Sequence, residues 1–214
     1  MKNILLFTLT FITFFPASSQ NGVAAKKLLD DVSSKMKSYD NIYIAFDYVL
    51  ENKEADVEQV FDGDVILHGD QYVVNLFDTT IIFDGKYSYT IIPENEEVNI
   101  AKLDVENNEI ISPSSLLTFY KNGYTFSYGK KENVNGKQIQ YIDLVPIDTN
   151  SEVILVQVGI EKQKLHLYSV REIGNNETNT TITINKLKIN QKLDKNIFRF
   201  DEQKYKKDQY TINR

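Results

Sequence analysis

The 214-residue sequence lacks cysteine and tryptophan and contains only four prolines and two histidines. Without cysteine there are no disulfide bonds, zinc–thiolate sites or thiol nucleophiles. The chain must therefore depend on an apolar core, which about 195 residues are enough to form. Scarce proline together with 13 tyrosines and 12 phenylalanines is typical of a β-sheet protein and not of a disordered chain.

Positive charge is in deficit. The sequence has 24 basic and 30 acidic residues, a net charge of −6. This balance argues against nucleic acid as a partner and against electrostatic attachment to anionic lipid.

Motifs for catalysis are also missing. His68 and His166 are far apart in sequence, and there is no HExxH motif, phosphate-binding glycine loop or GxSxG motif. We expect both histidines to face solvent and the carboxylates to lie on hydrated strand faces. No catalytic residue, metal or cofactor is therefore predicted; a Ca²⁺ site in the acidic turn 94–97 and an enzyme acting on lipid or glycan are alternatives.

The only long apolar run is at the N-terminus. Lys2 precedes the run from Ile4 to Phe15, and the small residues Ala17 and Ser19 follow it. This arrangement predicts a secretory signal peptide, residues 1–19, cleaved near Ser19. The run is too short to span a membrane comfortably, and no cysteine follows it to carry a lipid. Residues 20–214 are predicted to form one exported, soluble domain.

The mature chain is predicted to begin with an amphipathic helix that ends at Asp40-Asn41. Apolar residues recur at helical spacing between charged ones; they are Ala25, Leu28, Leu29, Val32, Met36 and Tyr39. We expect this stripe to pack on a sheet, with a partner-binding helix as the alternative.

Two-residue alternation of apolar and polar side chains then predicts about ten or eleven strands joined by short turns. The strongest hairpin signal is Asp84-Gly85, between Ile81–Phe83 and Tyr87–Ile92. Phe198 and Phe200 are predicted to close the sheet. Such a chain is mainly β (α+β), an antiparallel meander with one hydrated and one apolar face.

A short apolar helix is predicted between strands. Ser112 suits the N-cap, Pro113 the first turn and Gly123 the end. Its body is apolar on more than one face, through Leu116, Leu117, Phe119 and Tyr120. We interpret this segment as a lid.

Two helices cannot cover the apolar face of so many strands, so we expect a cavity for a hydrophobic ligand. A core filled by the chain's own aromatic residues is the alternative. Strand alternation predicts the ligand contacts, although a register error of one residue would exchange the two faces. The predicted contacts are Ile44, Phe46, Tyr48, Phe61, Val65, Tyr72, Val74, Tyr89 and Phe126, with Leu116, Leu117, Phe119 and Tyr120 from the lid.

Several segments together resemble the LolA-like periplasmic lipoprotein carriers of Gram-negative bacteria. The resemblance covers nearly all of the mature chain, and its strongest segment is Ile81–Lys86 with the aromatics that follow. The other segments are the helix 24–32, the strand with Ala45-Phe46, Phe61–Val65, Glu96–Val98, Ser112–Leu117, Asp143–Pro146 and Phe198–Phe200.

The resemblance implies a half-open antiparallel β-barrel, capped by the N-terminal helix and the lid helix, around an apolar cavity. It implies a monomeric periplasmic carrier that sequesters lipoprotein acyl chains. Its implied partners are an inner-membrane ABC-type release complex and an outer-membrane acceptor. A lipid- or lipoprotein-sensing regulator with the same fold is the alternative function.

One segment departs from the family pattern. Better-known members carry an Arg/Lys-Arg-Pro segment, and an arginine near it holds the lid closed by hydrogen bonds. The corresponding residues here, Leu67–Tyr72, contain no arginine. The lid of this protein must therefore be held by other polar groups, Tyr72 among them, or by apolar packing.

Overall fold

The computed structural model describes residues 17–103, 113 and 115–214. Most of the predicted signal peptide and the predicted N-cap Ser112 lie outside these residues.

The helix α1 spans Ala17–Lys37. The buried stripe of Ala25, Leu29, Val32 and Met36 has the three- and four-residue spacing that places side chains on one helix face. The amphipathic helix is therefore confirmed. It ends a few residues earlier than predicted.

Twelve strands follow in the described part of the chain. They are β1 Ile42–Asn52, β2 Val57–His68, β3 Gln71–Leu76, β4 Thr79–Phe83, β5 Tyr87–Ile92, β6 Glu97–Lys102, β7 Tyr124–Val134, β8 Lys137–Pro146, β9 Val153–Glu161, β10 His166–Gly174, β11 Thr178–Ile189 and β12 Thr211–Asn213. A second helix, α2, spans Glu202–Lys207.

All twelve strands form one sheet in the order β12-β6-β5-β4-β3-β2-β1-β11-β10-β9-β8-β7. Every neighbouring pair is antiparallel except β12–β6, which is parallel. The sheet is not closed, and it has the form of a half-open barrel. The predicted mainly β fold is confirmed, with β12 exceeding the predicted number of strands.

The predicted hairpin at Asp84-Gly85 joins β4 to β5. One carboxylate oxygen of Asp84 accepts hydrogen bonds from the backbone N–H groups of Lys86 and Tyr87, each at 2.8 Å. Gly85 has φ +98°, which glycine adopts without steric cost. These contacts explain why the Asp-Gly pair fixes the turn.

The concave face of the sheet holds the main core. α1 lies over its β7 side, where Gly22 allows a close approach: a Cβ at this position would lie 2.9 Å from the backbone oxygen of Phe126. The Tyr128 hydroxyl donates to the Ala24 carbonyl at 3.1 Å. Because α1 lies on the β7 side, it does not cover the middle of the concave face.

The convex face is covered at one end by the C-terminal segment, residues 194–214. Phe198 is buried and stacks on His68 at 6.0 Å between ring centroids. Phe200 stacks on Tyr89 at 4.7 Å and on Tyr205 at 5.2 Å. Phe198 and Phe200 lie outside the strands, so the prediction that they close the sheet was wrong; β12, further on, adds the last strand.

Among the described residues, no helix combines the length and the apolar character needed to cross a membrane.

Candidate ligand-binding cavity

The centre of the concave face encloses a cavity of about 250 Å³. Strands β1 to β4 form one wall, β10 and β11 the other, and Pro113 lies over it. Its lining residues are Ile44, Phe46, Tyr48, Val65, Tyr72, Val74, Leu76, Ile81, Pro113, Leu167, Ser169, Val170, Ile182 and Ile184.

Apart from Ser169 and the hydroxyl groups of Tyr48 and Tyr72, the described lining side chains are apolar, and no carboxylate, lysine, arginine or histidine is among the described lining residues. Burial raises the pKa of the Tyr72 hydroxyl, so this group stays neutral at physiological pH. A lining without charge suits a hydrocarbon ligand, because such a ligand offers no partner for a buried ion.

Phe46 shapes the middle of the cavity, and Gly63 makes room for it. The two residues are paired across β1 and β2, so their side chains lie on the same face. A Cβ at residue 63 would lie 2.5 Å from the ring of Phe46. Only glycine therefore lets this ring lie flat against β2.

Six of the nine strand residues predicted to contact the ligand line the cavity: Ile44, Phe46, Tyr48, Val65, Tyr72 and Val74. Phe61 lies beside it, with its ring 6.4 Å from that of Tyr48. Phe126 is on the concave face beneath α1, away from the cavity lining.

Tyr89 lies on the convex face. It pairs with Ile82, which pairs with Val73, whereas the cavity residues Val74 and Ile81 have the opposite parity. Burial and a 2.8 Å hydrogen bond to Asp84 raise its pKa to about 12. Tyr89 thus anchors the C-terminal segment and is not part of the cavity wall.

The described part of the predicted lid consists of two 3₁₀ turns, Ser115–Leu117 and Phe119–Lys121, and not of a continuous α-helix. Thr118 separates them with φ −139° and ψ −8°, outside helical values. A helix this short has little stability of its own in water, so packing decides its shape.

The lid residues have different surroundings. Leu117 lies with Met36, Ile42 and Leu67 beside a second, more polar cavity. Phe119 packs edge-on against Tyr120 and Tyr124. The side chain of Leu116 lies outside the described residues. Of the described residues in this stretch, only Pro113 lines the central cavity, and the lid role of Leu116, Leu117, Phe119 and Tyr120 stays a prediction.

A polar contact ties the lid to α1. The buried Tyr120 hydroxyl donates to an Asp30 carboxylate oxygen at 3.0 Å, and Lys26 donates to the other oxygen at 3.0 Å. Burial followed by the Asp30 hydrogen bond raises the pKa of Tyr120 to about 12. Partial burial raises the pKa of Asp30, but the bonds from Lys26 and Tyr120 outweigh it and lower that pKa overall.

Three aromatic rings form a cluster at one end of the cavity. Phe77 meets Tyr48 at 5.2 Å and Phe61 at 4.7 Å, both edge-to-face. Phe77 follows Leu76, a lining residue, in the turn between β3 and β4. The cavity lining therefore reaches the edge of the sheet at this turn.

The two histidines differ. His68 is exposed, as predicted, at the end of β2. His166 is half-buried, and its Nε2 lies 2.7 Å from the Tyr39 hydroxyl, so the prediction that it faces solvent was wrong. Burial lowers its pKa. Among the described residues no three His, Asp or Glu side chains are grouped to hold a metal.

Sequence reasoning missed the second wall of the cavity, formed by Leu167 and Val170 from β10 and by Ile182 and Ile184 from β11. The alternation of apolar and polar residues in these segments does identify the four residues as apolar positions of strands. Their place beside β1 follows from the pairing of β1 with β11, strands more than 120 residues apart in sequence, and no local pattern signals that pairing.

Residues 16–172 match the profile of a family described as "Outer membrane lipoprotein carrier protein LolA". The chain belongs to this family. The match includes α1, β1 to β9 and most of β10. In this LolA-family protein, β11, α2 and β12 lie beyond the matched residues.

This chain is similar to several solved structures. An uncharacterized conserved protein from Thermus thermophilus has a TM-score of 0.54 and 6% identity, covering 88% of this chain and 98% of its own. The lipoprotein LppX of Mycobacterium tuberculosis has a TM-score of 0.48 and 12% identity, covering 79% and 98%. A LolA superfamily protein from Nitrosomonas europaea has 0.43 and 10%, covering 83% and 98%.

At these identities, the Thermus thermophilus structure supports the fold alone. No curated protein sequence matches this chain significantly.

Proposed function

We propose that this protein is a periplasmic carrier that holds lipoprotein acyl chains in the central cavity. It would take them from an inner-membrane ABC-type release complex to an acceptor at the outer membrane. The observation that carries the proposal is the cavity beneath Pro113, whose described lining residues carry no charge, in a chain of the lipoprotein-carrier family.

The energetics favour such a carrier. Each CH₂ group removed from water contributes about 0.8 kcal/mol, so a chain of about sixteen carbons represents roughly 13 kcal/mol. A cavity with non-directional apolar contacts keeps such a chain out of water, and it needs no polar motif to do so. Catalysis requires reacting groups aimed at the ligand. The described lining residues include no carboxylate, lysine or histidine, which supports a binding role over an enzymatic one.

The cavity volume of about 250 Å³ is just below the about 300 Å³ at which ligand pockets usually begin. We propose that one acyl chain occupies it as described. Further chains would enter when the lid segment moves away from the sheet.

Native mass spectrometry of the protein purified gently from its own periplasm, before and after organic extraction, tests the proposal. We expect bound mass that extraction removes, lipoprotein among the released material, and a mature chain that begins at Gln20. A protein that carries no extractable mass and binds no apolar dye would contradict the carrier function and favour a packed core.

A further inference from the structure

A second cavity lies at the other end of the concave face from the Phe77 cluster. Its volume is about 460 Å³, larger than the about 250 Å³ of the central cavity. Lys37 and Asp40 line it where α1 joins β1, Asp70 lines it from the β2–β3 turn, and Leu117 lines it from the predicted lid. We call it the polar cavity, because charged side chains line it together with apolar ones.

The polar cavity continues the central cavity along the sheet. Ile42 and Leu67 line the polar cavity, and they are paired across β1 and β2. Ile44 and Val65 are paired in the same way, and they line the central cavity. Residues two apart on one face of a strand are about 7 Å apart, so the two cavities meet end to end. An elongated amphiphile can therefore place its chain in one and its head group in the other.

Several polar side chains of the polar cavity already have partners within the protein. The Tyr39 hydroxyl lies 2.7 Å from Nε2 of His166. The Asn41 side chain donates to the Gln191 carbonyl and accepts from the Gln191 backbone N–H, both at 2.9 Å. The Thr118 hydroxyl donates to a carbonyl of its own turn at 3.3 Å. These groups hold the walls of the cavity in place.

Three charged side chains remain for a ligand, and they are Lys37, Asp40 and Asp70. All three are exposed, and none of them takes part in the ion pairs of the described chain. The polar cavity also lies at the C-terminal end of α1, where a helix carries partial negative charge. The cavity thus offers one cation for an anionic group and a larger negative charge for a cationic group.

We propose that the two cavities together bind a single-chain zwitterionic phospholipid of the lysophosphatidylethanolamine class. The inference rests on the proposed function in one respect, since it requires that the central cavity hold an acyl chain. Lys37 would contact the phosphate, and Asp40 with Asp70 would contact the ammonium group. Hydrogen bonds between charged groups are stronger than those between neutral ones.

The charges of the polar cavity separate this ligand from other amphiphiles. A head group with phosphate alone would meet two carboxylates and a helix C-terminus against a single lysine, so we expect it to bind more weakly. The acylated end of a lipoprotein has no phosphate for Lys37. The phospholipid is therefore a second ligand, and it would compete with a lipoprotein for the central cavity.

Three ligands with the same acyl chain test the head-group site. Lysophosphatidylethanolamine carries phosphate and ammonium, lysophosphatidylglycerol carries phosphate alone, and monoacylglycerol carries no charge. Isothermal titration calorimetry of the delipidated protein measures the affinity for each, at concentrations below those at which the ligand forms micelles. We expect lysophosphatidylethanolamine to bind about tenfold more tightly than lysophosphatidylglycerol at low salt, and the difference should shrink as salt screens the charges.

Matched variants assign the charges. Asp40→Asn with Asp70→Asn should remove most of this preference. Glu54→Gln with Asp56→Asn changes the net charge equally in the turn between β1 and β2, at the other edge of the sheet, and should preserve the preference. Lys37→Gln should weaken the binding of both lysophospholipids several-fold and leave that of monoacylglycerol unchanged. All five residues are exposed, so we expect each variant to fold.

Equal affinities of the wild-type protein for the two lysophospholipids would overturn the head-group site. A preference that persists after both aspartates are replaced would overturn it as well. Monoacylglycerol separates this failure from a failure of the proposed function. If the wild-type protein binds monoacylglycerol but shows no preference between the lysophospholipids, the acyl-chain cavity stands and only the head-group site fails. If it binds none of the three ligands, the central cavity holds no acyl chain and both proposals fail.

Discussion

At the scale of single residues, the cavity depends on how two paired side chains share space. Gly63 provides no side chain, and the ring of Phe46 occupies the space over it. Strand interiors disfavour glycine, so its presence in β2 is explained by this ring. A side chain at residue 63 would displace the Phe46 ring, and it would thus change the shape of the cavity without adding a polar group.

Gly63→Ala should lower the free energy of unfolding by about 1–3 kcal/mol, because the Phe46 ring must move away from the new Cβ. The displaced ring should also reduce the binding of an acyl chain. Urea denaturation and titration with a fluorescent fatty acid measure the two effects.

Gly69→Ala is the control for this substitution. Gly69 has φ +57° and no atom within 4 Å of an added Cβ, so the variant should lose stability through backbone strain but keep its affinity. Equal affinities for Gly63→Ala and wild type would show that Phe46 does not limit the ligand.

At the scale of elements, the lid is attached to α1 by a contact that differs from the family's arginine. The Tyr120 hydroxyl bonds to Asp30, and neither residue belongs to the segment 67–72, where the family places its basic residues. Tyr72, the substitute considered from the sequence, lines the cavity instead.

Tyr120→Phe keeps the ring and removes this hydrogen bond. We expect a loss of about 1 kcal/mol of stability and faster release of a bound fluorescent fatty acid, since the lid opens more easily. The control Tyr128→Phe removes a more exposed bond to the Ala24 carbonyl and should leave release unchanged.

The same contact predicts a pH dependence. The folded state lowers the pKa of Asp30 below its ordinary value of 3.8, so it contributes stability that is present above pH 3.8 and is lost as the pH falls through the lower, folded value. The stability difference between wild type and Tyr120→Phe should therefore shrink in acid. A difference that is constant from pH 7 to acid would contradict an ionised Asp30 as the acceptor.

The C-terminal segment is the second element with a definite energetic role. Phe198 is buried on the convex face, where it covers one end of the sheet opposite the cavity. The segment lies beyond the family match and ends in β12, which pairs with the outer edge of β6.

Phe198→Ala should lower the free energy of unfolding by about 3 kcal/mol without changing the affinity for a fatty acid, because the cavity is on the other face. Denaturation measures the loss of stability, and ligand titration of the same sample measures the affinity. Lost affinity in a variant that remains folded would show that the two faces are coupled.

At the scale of the whole molecule, the two faces of one open sheet pack against different parts of the chain. The concave face holds the cavity and α1, and the convex face holds the C-terminal segment. A ligand in the cavity would contact β1 to β4 on one side and β10 and β11 on the other, so it would join the two halves of the sheet.

A ligand that binds only the folded state should stabilise the whole sheet. At about 100 times its dissociation constant it contributes about 2.7 kcal/mol, or roughly 5–10 °C in Tm for a domain of this size. We expect a synthetic diacylated lipopeptide to raise the Tm of delipidated protein by this amount in calorimetry.

Val74→Phe fills the cavity and should remove most of this shift, whereas the same change at the exposed Val23 on α1 should preserve it. Equal shifts in the two variants would place the lipopeptide outside the cavity.

The sequence by itself determined the helix stripe, the alternation within each strand and the Asp84-Gly85 hairpin, because these depend on neighbours in the chain. It also excluded cysteine chemistry. Six of the nine predicted strand contacts line the cavity. They do so because alternation within β1, β2 and β3 correctly identifies which residues of each strand share a face.

Only the tertiary structure decided which faces and strands meet. Tyr89 obeys the same alternation as its neighbours, yet its pairing with Ile82 places it on the convex face. The wall formed by β10 and β11 exists because β11 pairs with β1. Alternation shows which side chains of one strand share a face. The cavity also requires pairing between strands that are distant in sequence, and packing of the whole sheet selects that pairing.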